Sequence, residues 1–230
     1  DAAGLAVAGK MESQLRGINM SIRNAQDGVG LIQTAESGVN EVRNMVLRIR
    51  ELAVQMANGI YENTPDRSNA QLEVTALIDQ VTLIAENTRF NDVQIIDGSF
   101  TGVTIQAGNT TAETITLSFV DMASSGLSID TATVATQSDA KVAIGTMDTA
   151  LQTISQEQAK FGSLINRLDY SISNQSRASV MTEQALGRIM DADFATESTA
   201  LSKSQILNQA ATSMLAQANQ SKSLLLQLIQ

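Results

Sequence analysis

One apolar stripe constrains this chain more than any other feature. Met11, Leu15, Ile18, Ile22, Ala25, Val29, Ile32, Ala35, Val39, Val42, Val46, Ile49, Ala53 and Met56 follow one another at alternating steps of four and three, with one break between Val29 and Ala35. That step is a 3.5-residue repeat, which keeps one seam of a helix against a partner as the two supercoil. No proline interrupts the stripe, since the only proline is Pro65. At about 1.5 Å per residue such a helix runs roughly 70 Å, more than the core of a compact domain needs. The pattern predicts a rod.

Composition narrows what the rod is made of and what it does. Trp is absent and aromatics are 3% of the chain, so the core is built from Leu, Ile, Val, Ala and Met, which suits narrow helix–helix seams. There is no Cys and no His, which removes thiol nucleophiles, imidazole bases, disulfides and the commonest zinc ligands together. No catalytic, cofactor-binding or metal site is expected. Fifteen basic residues scattered among 24 acidic ones give a net charge of −9 and no basic patch, which argues against nucleic acid as a partner. No run is long and apolar enough to span a membrane.

Residues 1 to about 57 read as the long helix. Gly4, Gly9, Gly17, Gly28, Gly30 and Gly38 lie within it. Each costs about 1 kcal/mol relative to Ala, so they predict either packing on all sides or close approach of a neighbouring helix or subunit. Gly28 and Gly30 sit inside the helical stripe with no strand before them, unlike a phosphate loop. Asn58-Gly59 stops the helix. Thr64, as N-cap, and Pro65, at the first helical position, start a second helix over 64–88, with Ala70, Val74, Leu77, Val81 and Ile84 on its inner face. The short connection folds it back antiparallel to the first.

From Arg89 the period changes. Val103, Ile105 and Ala107 alternate, Gly108-Asn109 turns, and Ile115, Leu117 and Phe119 alternate again, which predicts a β-hairpin within the region 89–137. Asp97-Gly98 marks a turn before it. Asn109-Thr110-Thr111 fits a glycosylation sequon and reads here as an ordinary turn. The Ser/Thr/Ala-rich stretch 124–138 reads as loop-like. A third helix over 139–190 restores the four–three step at Met147, Leu151, Ile154, Gln158, Phe161, Ile165, Leu168, Ile172, Gln175, Ser179, Thr182, Leu186 and Ile189, well packed over Phe161 to Ile172 and looser beyond. Asp191, Asp193 and Glu197 read either as an acidic metal cluster or, more simply, as acids at a helix start. From Ser204 onward the only charged side chain is Lys222, and the chain closes on Leu224, Leu225, Leu226, Leu228 and Ile229. That segment has no apparent partner and is expected to need one for order. The fold class is therefore mainly α: an elongated antiparallel helical rod or coiled coil with a small β-hairpin. It comprises a rod-like core over 1–190 and a carboxy-terminal helical assembly segment over 191–230.

The segments DAAGLAVA, SIRNAQDGVGLIQTAESGVNEV, LRIRELAVQMANG and TRFND, with DADFATE, SKSQIL and MLAQANQ near the other end, resemble bacterial flagellin. The resemblance covers both helical ends and is loose in the Ser/Thr-rich middle. It is to a flagellin without its amino-terminal helix, and such a fragment is expected not to polymerise. Little separates the hairpin from the third helix, so a large outer domain is not expected.

The resemblance implies a structural subunit that self-assembles into the extracellular flagellar filament through rod faces and terminal coiled-coil segments, after type III export without a cleaved signal peptide. The partners it implies are other flagellin subunits, a secretion chaperone on the carboxy-terminal segment, the filament cap and hook-junction proteins, and an innate immune Toll-like receptor. Leu207, Met214, Leu215, Leu224, Leu225 and Leu228 are the candidates for chaperone and inner-tube contacts. For receptor recognition or a subunit interface the candidates are Arg48, Leu52 and Glu73. Arg48 and Leu52 match the family's receptor motif, Leu47 departs from it, and both matching residues lie off the seam and are expected to face outward. The rival readings are a hook–filament junction protein, a coiled-coil signalling module and a carboxylate enzyme. The ending MLAQANQ with its Leu-rich close favours flagellin over the first, the second lacks a sensor or membrane segment, and the third lacks a convincing pair of acids.

Overall fold

The computed structural model describes the backbone of residues 2–191 and 194–228 and the side chains of 2–191 and 196–222. Two compact units divide the chain: residues 12–183, and the residues through Met11 together with those from Gln184 onward.

In the first unit the stripe is the inner face of α1 (Ala2–Met56). Ile18, Ala25, Ile32, Ala35, Val39, Val42, Val46, Ile49 and Ala53 are buried, and no stripe residue from Met11 to Met56 is fully exposed. Each buried Val or Ile contributes about 1.5–3 kcal/mol, so the seam organises this unit energetically as well as geometrically.

The end of α1 is stopped by an arginine rather than by a glycine in left-handed conformation. Gly59 is absent from the positive-φ positions of the described backbone. Arg67 instead lies buried beneath the connection and donates to the carbonyls of Met56 (2.9 Å), Asn58 (2.8 Å) and Tyr61 and to the Asn63 side chain (3.0 Å). Gln137 donates to the Ala57 carbonyl at 2.9 Å. Carbonyls that a helix end leaves orphaned are thus taken by side chains from further along the chain. The same clamp delays the next helix. Thr64 is extended (φ −134°, ψ 125°), the wide turn Asn63–Arg67 follows, and α2 runs Ser68–Asn87. Val74, Ile78, Val81 and Ala85 form its buried face, with Ala70, Leu77 and Ile84 half-buried beside them.

TRFND makes a strand pair that the sequence pattern did not reveal. β1 (Arg89–Phe90) and β2 (Val93–Gln94) are antiparallel across Asn91 and Asp92, both at positive φ (49° and 63°). Asn and Asp tolerate that geometry, which matches strand twist in two-residue hairpins. The predicted hairpin forms as β3 (Val103–Gln106) and β4 (Thr114–Leu117), antiparallel with Val103 opposite Leu117 and Ile105 opposite Ile115. It lies on α1: Asn24 donates to the Gln106 carbonyl at 3.4 Å, and a Cβ on Gly28 would come within 3.4 Å of both Ile105 and Leu168.

The Ser/Thr-rich segment after β4 is irregular but packed. Met122, Leu127, Ile129 and Val134 are buried among its hydroxyls. Ser124 and Thr82 hydroxyls meet at 2.8 Å, and Gln71 on α2 accepts from the Val134 N–H (2.6 Å) and the Thr133 hydroxyl (3.0 Å). Phe119 stacks on Phe100 and sets its edge against Phe161, with ring centres 5.1 and 4.9 Å apart.

α3 (Gln137–Met190) begins two residues before the expected Asp139. Thr136 caps it: the Asp139 N–H donates to the Thr136 hydroxyl oxygen (3.1 Å), and that hydroxyl donates to the Asp139 carboxylate (2.7 Å). Its buried line is Ala140, Ala143, Met147, Ala150, Ile154, Glu157, Phe161, Leu164 and Leu168. The seam expected through Leu151, Gln158 and Ile165 is therefore rotated by one position at each of these three, and those residues form its half-buried flank. Glu157 can sit on the buried line because Lys160 pairs with it at 3.3 Å and the Val120 N–H donates to it at 3.4 Å. No residue from 169 to 190 is fully buried, in line with the looser end expected.

In the second unit α4 spans Phe194–Leu228, and every described side chain from Thr196 to Lys222 is exposed. The segment expected to lack order alone is thus a helix. It contains no Gly or Pro, and Ala, Leu, Gln and Ser carry its helix propensity.

Candidate interaction surface

Two surfaces hold the residues singled out in the sequence. The first lies where α1 and α2 run side by side. The Arg48 guanidinium donates to Glu73 on α2 at 2.9 Å and to Glu51 one turn along α1 at 3.2 Å. Their side chains remain 48%, 45% and 69% exposed, so the triad presents charge to solvent. The hydrogen bond Arg48 donates to Glu73, then that to Glu51, raises the Arg48 pKa above its ordinary value. Arg48 and Glu73, which the family resemblance places on one surface, do meet.

Leu52 does not face outward. It is 4% exposed and belongs to the apolar core with Met56, because α2 closes over the side of α1 that a two-helix seam would leave open. It forms the floor of a shallow groove of about 450 Å³ whose walls include Arg48, Gln55, Tyr61, Asp66, Asn69 and Glu73. Tyr61, Asp66 and Asn69 were not legible as members of this surface. They arrive there because Arg67 folds the connection back onto the end of α1. A lone arginine after a helix stop is the signal that marks such a clamp.

The second surface is α4. Leu201, Ile206, Leu207, Met214 and Leu215 are 59–72% exposed along it. Among the candidates, Leu207, Met214 and Leu215 are therefore open apolar side chains, whereas Leu224, Leu225 and Leu228 lie outside the described side chains. Asp193, one member of the acidic cluster weighed as a metal site, also lies outside the described residues. Among the described residues no three carboxylates converge on a point that could hold a metal ion. No described helix is long and apolar enough to cross a membrane.

Among the described residues, the charged groups of the groove, Arg48, Asp66 and Glu73, all sit at its exposed rim. Both surfaces are shaped for contact: one groove with a charged rim and an apolar floor, and one helix with an open apolar flank.

Comparison with known proteins gives this arrangement its family. Residues 1–101 match the bacterial flagellin N-terminal helical region, and residues 144–229 match the bacterial flagellin C-terminal helical region. The flagellin of Halalkalibacterium halodurans is 37% identical over 233 residues, spanning all of this chain and 85% of that protein. Flagellin FlaB2 of Treponema pallidum is 38% identical over 250 residues, again across all of this chain and 85% of that protein. Among solved structures, Bacillus cereus flagellin superposes with a TM-score of 0.61 at 32% identity, covering 66% of this chain and 88% of that one. A putative flagellar hook-associated protein from Vibrio parahaemolyticus shares the fold, with a TM-score of 0.67 over 82% of this chain and 98% of that one, but only 12% of its sequence. With relatives matched across all of this chain and 85% of their own length, and with both flagellin helical regions matched, the chain belongs to the bacterial flagellin family, whose members are structural subunits of the flagellar filament.

Proposed function

We propose that this filament subunit assembles by covering the apolar flank of α4 with helices of other copies. The exposure of Leu201, Leu207, Met214 and Leu215, which helical spacing places on one side of α4, carries this reading. An apolar flank left open to water is a liability for a lone molecule, and packing between copies removes it. The mechanism has no catalytic step. Burial of about 25 cal/mol per Å² drives it, and the charged rim of the α1–α2 groove sets which faces meet.

Before assembly the same flank needs a cover, which is the role proposed for a secretion chaperone during export to the cell exterior. In the filament, cap and hook-junction proteins meet the first and last subunits through the same helical segments. The Arg48–Glu73 pair with the Leu52 floor is proposed as both a subunit contact and the surface read by an innate immune Toll-like receptor. A hook–filament junction role is not favoured, because the hook-associated neighbour shares the fold at only 12% identity.

Composition of filaments sheared from the producing bacterium tests the assignment. Peptides of this chain are expected as a major component along the filament. Their confinement to the hook fraction would favour the junction role, and their absence from both would contradict the proposal.

A further inference from the structure

The turn that ends α1 holds the one Asn-Gly dipeptide of the chain, Asn58-Gly59, and both residues are exposed. The Ile60 N–H donates to the Asn58 side-chain oxygen at 3.2 Å. This Asx turn lays the side-chain carbonyl over the peptide joining Asn58 to Gly59, and the hydrogen bond draws electrons from its carbon. Among the described hydrogen bonds none is donated by the Gly59 N–H. Gly59 has no Cβ to crowd its nitrogen, and the nearest side-chain atom to where a Cβ would stand is the Gln137 amide nitrogen, 3.4 Å away.

We propose that Asn58 is a site of spontaneous deamidation, with water as the only co-reactant. The Gly59 nitrogen gives its proton to hydroxide and attacks the Asn58 side-chain carbon. A bond forms between them, the carbon–Nδ2 bond breaks, and the departing nitrogen takes up a proton and leaves as ammonia. Water then opens the five-membered ring at either carbonyl. One opening restores the main chain with aspartate at position 58. The other leaves isoaspartate, whose main chain passes through the former side chain and is longer by one methylene.

Two consequences follow from the surroundings. The Asn58 carbonyl is one of the acceptors that hold Arg67, at 2.8 Å, and the isoaspartyl product moves it out of register. Either product also adds a negative charge beside the groove that already carries Asp66 and Glu73. Subunits that age before assembly therefore change the charge of the α1–α2 surface, and those carrying isoaspartate also lose part of the Arg67 clamp.

Incubation of the intact chain at mildly alkaline pH, followed by peptide mapping, tests this. The amide-to-acid mass gain is expected first in the peptide carrying Asn58, ahead of every other asparagine, and that peptide is expected to accept methyl groups from an isoaspartyl methyltransferase. Gly59→Ala is expected to slow the gain severalfold. Asn58→Gln, which lengthens the ring that must close, is expected to abolish the early gain and covers the case in which Gly59→Ala fails to fold. Retention of the Asn58 amide while other asparagines convert, or an unchanged rate in Gly59→Ala, would overturn the proposal.

Discussion

Gln158 on α3 donates its side-chain amide to the Asn40 side-chain oxygen on α1 at 2.7 Å, and the pair marks a register that holds along the two helices. Arg50 meets Asp148 at 2.6 Å, and Ser179 meets Asn19 at 3.2 Å. In all three pairs the residue numbers add to 198. A slip of one heptad would still match apolar faces, so the stripe alone leaves the register open. The polar rungs beside it break that degeneracy. A double-mutant cycle of Asn40→Ala and Gln158→Ala is expected to give a coupling energy of about 0.5–1 kcal/mol by urea unfolding, and a coupling near zero would remove the pair as a register device.

Arg67 is the most heavily used polar side chain in the first unit. Replacing it with Met leaves the Met56, Asn58 and Tyr61 carbonyls without their donor. The expected loss is about 2–4 kcal/mol, read as a lower urea midpoint. Lys is expected to recover only part of it, because an ammonium cannot reproduce the planar fork that serves several acceptors.

The glycines of α1 divide by surroundings. A Cβ on Gly38 would sit 2.7 Å from the Thr88 hydroxyl and 3.0 Å from the Ile96 side chain, whereas one on Gly30 meets nothing within 4 Å. Gly38→Ala is therefore expected to destabilise, by about 1–3 kcal/mol for overpacking. Gly30→Ala is expected to stabilise, by about 0.5–1 kcal/mol, through helix propensity. Equal effects of the two substitutions in thermal unfolding would contradict this division.

Asp97 carries a pH dependence. The Ser99 hydroxyl donates to its carboxylate at 2.6 Å and the Ser99 N–H at 3.0 Å, and these bonds lower its pKa despite the opposing effect of partial burial. A carboxyl depressed in the folded state adds stability at pH above its unfolded value, and that contribution is lost as the pH falls through the folded value. Ser99→Ala is expected to return the Asp97 titration toward the ordinary carboxylate range. An unchanged carboxyl titration by NMR would show that the Ser99 hydroxyl is not the cause.

The elements whose interior faces carry a sustained apolar period were legible in the sequence. The α1 stripe, the α2 face through Val74 and Val81, and the β4 alternation at Ile115 and Leu117 lie inward, whereas Val103 on β3 is exposed. What stayed hidden depended on single side chains acting at a distance. The buried line of α3 passes through Ala150 and Glu157 rather than Leu151 and Gln158, and a carboxylate at a core position gives no periodic signal until Lys160 and the Val120 N–H meet it. Leu52 was expected on the surface because a two-helix seam leaves it there, and α2 is the third helix that covers it. The irregular segment after β4 hides its buried Met122, Leu127 and Ile129 among hydroxyl-bearing residues that are also bonded. In the candidate site, Arg48 and Glu73 were legible as members of one surface through the family resemblance, and the groove beneath them was not, since Tyr61 and Asp66 reach it only through the Arg67 clamp.

Copies of this chain are proposed to bury the α4 flank against one another. These 230 residues hold no cysteine, so a single thiol introduced among them is readily followed by peptide mapping. Filaments from the producing bacterium carrying Leu215→Cys are expected to resist a maleimide dye while intact and to react fully once dissociated to subunits. Equal reactivity of Leu215→Cys in intact filaments and in free subunits would contradict the account.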